Sequence, residues 1–497
     1  MSTPKKTKID KARWLILFTV IIGTFLGRLD QTIVSLALPK IINDFGITVS
    51  SAGWIATAYI LANAVFVPIW GKLGDTLGRK KIYMLGFGLF IFGSILAGFA
   101  WNLSSMIVFR VIQAIAGSAD YPTAMAIIAI TFKEGRERAQ ALGIWSSSFA
   151  AAAVFGPLIG GPLIDNFGWR SVFLINLPIG IIGLLMAIAY VKESVSEKKT
   201  VVFDWWGAIA LGIALSSLVL VLDKGLSWGW FSLNSFLAYL VTIIFTFIFI
   251  RIENNSPEPI VDLKFFKISA FVNTLGNNFV VFMGMMGGIF LIPIFAQTFL
   301  GYDATQTGYL FMPMAAALMI AAPIGGNLTG RVRPKYVIAS STFVAGIGLF
   351  LFSYLDPRSG ALAIILPLAV MAFGIGFGMA QRTNAIASIV PQNEIGIASS
   401  ILALARNIAG AFGIAVFGTI LQKSEEANVL NIAKYSSIHS FDPIVYKTAT
   451  ALMILKGQVE AYGTVFVVAS IVLFVGAVAA LWIDIPERKL KEDIVIE

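Results

Sequence analysis

Six ionisable side chains stand inside stretches that are otherwise apolar: Arg28, Asp30, Arg110, Asp120, Arg382 and Arg406. A charge in such surroundings is costly, so each is a candidate for function. Asp120 has the widest chemistry. A carboxyl in a poorly hydrated cavity exchanges protons nearer neutral pH than one in water, and a cationic ligand could displace its proton. The plainer alternative is an aspartate held by capping bonds at a helix end. Asp120 follows Arg110 by ten residues. On one continuous helix the two are about 15 Å apart and about 80° apart in rotation, so they share a broad side. Arg28 lies two residues before Asp30, and Arg382 follows Gly374, Gly376 and Gly378. Exposed to a cavity, Arg28 and Arg382 would repel cations and suit anionic or zwitterionic amphiphiles. Paired with Asp30, Asp120 or carbonyl oxygens, they would be structural instead. Four arginines face two acids, which leaves two without a carboxylate unless a loop residue such as Glu394 reaches in. Asn277 and Asn278 can hydrogen-bond a ligand or join helices, and joining is the commoner use. Met286 beside them would let a cavity repack around varied ligands, although methionine is also an ordinary core residue.

The elements that must position these groups are membrane helices. Of 497 residues 58% are hydrophobic and only 13% charged, against about 25% charged in a soluble domain. Mean hydropathy is +0.85. A water-soluble enzyme cannot hide so much apolar surface. Fourteen spans of the usual length, roughly 20 residues each, are expected at 14–38, 52–70, 82–100, 105–131, 139–164, 171–191, 205–222, 232–252, 270–299, 306–328, 336–355, 361–390, 396–421 and 460–483. Long aliphatic runs favour helices, since a membrane β-barrel shows short alternating segments. With the N-terminus inside, the cytoplasmic segments hold 24 of the 36 Lys and Arg, the outer segments hold 8, and 4 lie in spans. Both termini are therefore expected in the cytoplasm of a multi-pass cell-membrane protein. The net charge of +9 follows from this bias and from anionic lipid on that side, so no nucleic acid is expected as partner. Residues 422–459 form an outer segment broken at Asp442-Pro443. A solvated loop and an amphipathic hairpin are equally expected there.

Three chemistries find no residues. Cysteine is absent, and the one histidine, His439, falls in the outer segment. Metal sites and nucleophile triads lack their components, and the Walker phosphate-loop spacing does not occur. No cofactor and no enzymatic activity are expected.

Five motifs fall in order. Gly71-Lys72-Leu73-Gly74-Asp75-Thr76-Leu77-Gly78-Arg79-Lys80-Lys81 joins spans 2 and 3. Its glycines permit a tight turn. Asp75 can accept from a helix N-terminus or pair with a base, and Arg79 can reach a facing carboxylate. Leu29-Asp30-Gln31-Thr32-Ile33-Val34-Ser35-Leu36-Ala37-Leu38-Pro39 lies in span 1 and Arg110-Val111-Ile112-Gln113-Ala114-Ile115-Ala116-Gly117 in span 4. Gly156-Pro157-Leu158-Ile159-Gly160-Gly161-Pro162 lies in span 5, and Trp169-Arg170-Ser171-Val172-Phe173-Leu174-Ile175-Asn176-Leu177-Pro178 leads into span 6. Gly326 to Lys335 repeats the first motif in worn form, with Gly330 in the place of Asp75.

Together these motifs resemble the fourteen-span drug:proton antiporters of the major facilitator superfamily, over essentially the whole chain. The resemblance implies an all-α membrane fold with two six-helix halves and two inserted helices. The expected parts are 1–191 for the first half, 192–268 for the linker and inserted pair, and 269–497 for the second half. It implies a proton-coupled exporter of amphiphiles working by alternating access. Arg110 takes the proton-coupling role of its motif or else caps helix carbonyls; Asp30 either shares that role or ties span 1 to its neighbours, and Asp120 is a candidate for it from its own position in span 4. Gly71, Asp75 and Arg79 match the inner gate latch. Gly156, Pro157, Gly160 and Gly161 match the antiporter motif, and Arg406 matches a structural or gating arginine. Arg28, Arg382, Asn277, Asn278 and Met286 remain as candidate cavity residues. Expected partners are protons, a small amphiphile and membrane lipid, with the chain as a monomer. Two rivals stay open: export of an anionic or zwitterionic amphiphile such as a lipid, fatty acid or organic acid, and a membrane sensor or scaffold.

Overall fold

A computed structural model describes residues 5–132, 136–194, 204–256, 259–328, 331–390, 395–435 and 443–484. Every long element among them is a helix. In chain order these are α1 (Lys5–Phe45), α2 (Val49–Leu77), α3 (Arg79–Gly98), α4 (Leu103–Gly117), α5 (Asp120–Thr131), α6 (Arg136–Phe167), α7 (Ser171–Leu174) and α8 (Asn176–Tyr190). They continue as α9 (Trp205–Trp228), α10 (Leu233–Asn255), α11 (Ser269–Phe299), α12 (Ala304–Asn327), α13 (Pro334–Leu351), α14 (Leu362–Ile389), α15 (Ile395–Tyr435) and α16 (Pro443–Ala480). Lipid offers no hydrogen bonds, so each crossing segment must satisfy its backbone internally, and helices do so.

Thirteen segments among the described residues are long and apolar enough to cross a membrane. They correspond to the expected spans other than 139–164, which lies in the 32-residue helix α6. Side-chain caps set several helix starts. Asn102 and Ser105 form a reciprocal capping box at α4, and Thr48 and Asp204 accept from the first turns of α2 and α9. Gly46 after α1 and Gly301 after α11 both take the left-handed conformation, φ 62° and 68°, which ends a helix cheaply only at glycine. These matched endings fit the sequence repeat.

The chain divides into two compact units. One holds Met1–Ile260, Ile289–Met312 and Ile414–Thr419, and the other Val261–Gly288, Pro313–Gly413 and Ile420–Glu497. In the first unit α1 packs on α6 and α8, α3 on α4, and α2 on α4 and α9. The inserted pair is joined by Ser217 Oγ and Thr242 Oγ1 at 2.6 Å. Helix α10 leaves Phe236, Ile243 and Phe247 exposed, an apolar face suited to acyl chains. In the second unit α13 packs on α14 and α16. Of the segment 422–459, residues 422–435 extend α15 and 443–459 open α16 as helical arms, and the break expected at Asp442 lies outside the described residues. They are tied by Asn428 Nδ2 to Gly457 O at 3.3 Å and Gln458 Nε2 to Glu425 Oε1 at 2.6 Å. Pro443 stands at the first position of α16, where its missing N–H costs nothing.

Span 4 departs from the single helix expected of it. It breaks at Ser118 and Ala119, between α4 and α5. Pro122 has no N–H to give the Ser118 carbonyl, and the turn tightens so that Ala119 N reaches Ala116 O at 3.2 Å. The span still runs as one crossing over Leu103–Thr131, with Asp120 opening the first turn of α5.

Candidate functional site

Asp30 and Arg110 lie 80 residues apart in sequence but form one buried ion pair, Arg110 Nη1 to Asp30 Oδ2 at 2.5 Å. Arg110 Nη1 also donates to Gln113 Oε1 at 2.7 Å. Gln113 Nε2 and Asn176 Nδ2 each donate to Asp30 Oδ1 at 3.0 Å. Asn176 Nδ2 continues to Ser94 Oγ at 2.8 Å, and Ser94 donates to Phe173 O. The guanidinium lies 4.1 Å from the Tyr59 ring centre. The group at Asp30 meets three donors and no acceptor, an arrangement made for a carboxylate. Four helices, α1, α3, α4 and α8, are joined through it. Gln113 and Asn176 sit within quoted motifs, and their polarity in apolar runs was the only signal for them.

Asp120 is placed differently. Its Oδ2 accepts from Thr24 Oγ1 at 2.7 Å, and Thr24 Oγ1 in turn accepts from Trp145 Nε1 at 2.9 Å. Its buried Oδ1 has no hydrogen-bond partner. Gly23 makes room for it: a Cβ there would stand 2.8 Å from Asp120 Oδ1. This carboxyl can take up a proton on one oxygen without breaking an existing bond. Its neighbour Arg28 is half-buried and donates to Gln31 Oε1 at 3.3 Å.

The gate motifs are seated by close contacts. Gly71 and Gly74 let α2 approach Pro122 and Thr123 of α5, with a Cβ at either glycine 3.3 Å from the facing side chain. Gly78 takes φ 109°, a region open to glycine. The side chain of Asp75 lies outside the described residues. The N-terminus of α3, the kind of site that was one of two roles open to Asp75, is occupied by Glu193. It accepts from Lys80 N at 3.1 Å and Lys81 N at 3.2 Å, an anion at the positive end of a helix. Arg79 N donates to Ser194 O. Nothing in the spacing of the motif pointed to Glu193.

On α6, Gly156 and Gly160 admit Thr32 and Ile33 of α1, while Gly161 admits Thr305 of α12. Gly308 approaches the Pro157 carbonyl, where a Cβ would stand at 2.5 Å. Just beyond the expected span, Asp165 accepts from Thr305 N at 2.9 Å, Thr305 Oγ1 at 2.7 Å, Ala304 N at 3.3 Å and Lys40 Nζ at 2.9 Å. One carboxylate thus ties α1, α6 and the start of α12. Burial pushes the Asp165 carboxyl up, but bonds from Lys40 and Thr305 outweigh it and hold it below the ordinary value. The contact is therefore fully present above the ordinary carboxylate range and is lost only as pH falls through the lowered value. Asp165→Asn should loosen it at neutral pH. Because the chain has no cysteine, an Ile159→Cys reporter can be labelled with an impermeant maleimide. Relative to an exposed control cysteine at each pH, since only the thiolate reacts, labelling should speed up in the Asp165→Asn background and stay flat from pH 7 to about 5 in the parent. Equal rates in both backgrounds would make Asp165 incidental.

The second unit holds the other two arginines. Arg382 is 1% exposed. Its Nε donates to Asn277 Oδ1 at 2.8 Å, and its Nη2 donates to Ser341 Oγ and Thr342 Oγ1 at 2.9 Å each. Asn277, also buried, donates to Gly476 O at 3.0 Å. These two residues, expected on a cavity wall, are enclosed among α11, α13, α14 and α16 in this state. Arg406 Nε donates to Asn278 Oδ1 at 3.3 Å and its Nη2 to Thr383 Oγ1 at 3.3 Å. It lies 5.0 Å from the Phe282 ring centre. Met286 is half-buried on α11.

Comparison with known proteins agrees with this architecture. The family model described as Major Facilitator Superfamily matches residues 20–414. The multidrug transporter protein MdtP of Bacillus subtilis (strain 168) is 33% identical over 93% of this chain and 84% of its own. The multidrug resistance protein Stp of Mycobacterium tuberculosis (strain CDC 1551 / Oshkosh) is 30% identical over 83% of this chain and 76% of its own. A crystal structure of a bacterial homologue of the human lysosomal transporter Spinster, inward-facing and occupied, has the same fold. It aligns with TM-score 0.68 and 17% identity over 97% of each chain.

Proposed function

The chain belongs to the major facilitator superfamily, and from that premise we propose that it is a drug:proton antiporter exporting amphiphilic compounds by alternating access. As a family member with thirteen candidate crossings among its described residues it is a multi-pass transporter of small molecules. The proposal adds proton coupling, fourteen spans and residence in the cell membrane as a monomer with cytoplasmic termini.

The observation that carries the coupling is the Asp120 carboxyl, with Oδ2 held by Thr24 and the buried Oδ1 open. A group that couples by titration must lose and regain a proton within the transport cycle. Asp120 can do so within its present bonds. Protonation of Asp30 would instead cost the Arg110 pair its charge, so Asp30 and Arg110 hold the frame beside the titrating site. The relatives named for multidrug transport support amphiphiles as cargo.

The test is an acidified everted vesicle bearing the protein. Adding amphiphilic cations should release protons from the lumen in step with uptake of the compound. Uptake without proton movement would leave a transporter but remove the antiport, and neither signal across a broad panel would favour a sensor or scaffold.

A further inference from the structure

The inserted pair, α9 and α10, holds a carboxylate that gating and proton coupling do not use. Asp204 caps α9: its Oδ1 accepts from Gly207 N at 2.7 Å, which satisfies one orphan donor of the first turn. The residue is 8% exposed, and its Oδ2 has no hydrogen-bond partner among the described residues. A Cβ at Gly207 would stand 2.6 Å from Oδ2, so glycine there keeps the space beside the carboxylate clear. An ionised oxygen in apolar surroundings calls for a cation or a donor, and capping answers for only one of the two oxygens.

Asp204 lines a cavity of about 510 Å³ together with Phe247, Ile248, Arg251, Ile252 and Asn255 of α10. That volume lies within the range of small-ligand sites, roughly 300–1,000 Å³. Phe247, Arg251 and Asn255 recur every four residues with Ile248 and Ile252 beside them, so the five share one face of α10. Arg251 is exposed. Glu253, two residues on, lies about 200° round the helix from it, buried and accepting from Ile260 N at 3.3 Å. Trp205 and Trp206 are exposed at the start of α9 and mark this end of the pair as a membrane–water boundary. Ala208, one turn in, packs on Val65 and Ile69 of α2, which fixes the start of α9 against the bundle. Phe247 and Ile248 therefore stand deeper in the membrane, and Arg251 and Asp204 stand at its edge.

That order, apolar side chains within and two opposite charges at the boundary, is the order of a phospholipid. A guanidinium matches a phosphate. A carboxylate oxygen can only accept, so its partner must bring N–H or O–H donors, and a positive charge strengthens the contact. A choline head has the charge without a donor, and a glycerol head has donors without the charge. An ethanolamine head has both, next to its phosphate. We propose that Asp204 and Arg251 form a binding site for a phospholipid with a phosphoethanolamine head, with the ammonium on Asp204 Oδ2, the phosphate on Arg251 and an acyl chain along Phe247 and Ile248. With cytoplasmic termini as proposed above, the lipid belongs to the inner leaflet. Binding itself depends neither on that orientation nor on proton coupling, so the site can be tested apart from transport.

The experiment is equilibrium binding of dioctanoyl phosphatidylethanolamine to the full chain in neutral detergent, with dioctanoyl phosphatidylcholine as the comparison. The parent should bind the ethanolamine lipid roughly tenfold more tightly, the worth of one charge-assisted hydrogen bond. Asp204→Asn keeps an acceptor for Gly207 N, since asparagine caps as well as aspartate, but it removes the charge. It should weaken the ethanolamine lipid roughly tenfold and change the choline lipid by no more than about twofold. Arg251→Gln removes the phosphate contact common to both lipids and should weaken both alike, by roughly tenfold. Elution of a single folded species is the control for each variant. Arg251 takes no part in the cap, so Arg251→Gln decides alone if Asp204→Asn does not fold, and unchanged binding of both lipids to it overturns the site. Equal affinity of the parent for the two lipids, or a preference retained in Asp204→Asn, also overturns it and leaves Asp204 as a helix cap only. Binding as expected, with no proton movement in vesicles, would retain the site and reject the antiport.

Discussion

Asparagine at position 120 should reduce pH-driven exchange to the level of empty membranes while the helices stay in place. The amide is nearly the shape of the carboxyl. Its oxygen can still accept from Thr24 Oγ1, the bond that Asp120 Oδ2 now makes at 2.7 Å. Its NH2 would stand where Oδ1 has no partner. One unsatisfied buried donor costs about 1–3 kcal/mol, within the 5–15 kcal/mol that holds a typical fold. The variant should therefore insert and purify normally. It cannot titrate, so uphill exchange driven by a proton gradient should vanish, while downhill counterflow of two substrates should persist. Proton release on binding a cationic substrate gives a second measure, and the variant should release less than the parent. Equal release would move the coupling to Asp30 or another acid. A collapsed variant would instead show that the Asp120 carboxylate supports the fold through its charge.

The spans were legible because lipid imposes a length and a composition on every crossing, and long apolar runs record both. Span 4 was legible as one crossing, but its interruption at Ser118 and Ala119 was not, although Pro122 stood in view. Proline near a span is tolerated as often as it breaks one, and only the lost Ser118 acceptor decides the case. The charged pairs were less legible than the spans. Asp30 and Arg110 were each singled out, but their pairing depends on how α1 and α4 cross, which no spacing along the chain encodes. Glu193 and Asp165 act across 112 and 140 residues, on Lys81 and Thr305, and each looks like an ordinary loop charge in the sequence. That four arginines and two acids stand in the spans was countable from the sequence, but which of them pair, as Arg110 does with Asp30, only the structure supplies.

Removing Asp30 should cause the largest loss of stability of any single change in the first unit. Asp30→Ala leaves the Arg110 guanidinium buried with Gln113 and the Tyr59 ring but no carboxylate. Stranding one partner of a buried ion pair costs about 3–5 kcal/mol. It also takes the acceptor from Gln113 Nε2 and Asn176 Nδ2, so the loss should fall at the upper end of that range. Thermal unfolding in detergent, followed by light scattering, reads it as a large drop in midpoint. The double variant Asp30→Ala, Arg110→Met removes both charges and fills much of the guanidinium's space. It should recover a substantial part of the loss, because an apolar pair of similar volume can replace a buried ion pair at little cost. The same pair of variants separates anchoring from coupling. If Asp30 and Arg110 only hold α1, α3, α4 and α8 together, the double variant should regain proton-driven exchange along with its stability. If either carries the proton, stability returns and exchange does not. A double variant no more stable than Asp30→Ala alone would mean that the cost lies in the amides, Gln113 and Asn176, rather than in the ion pair.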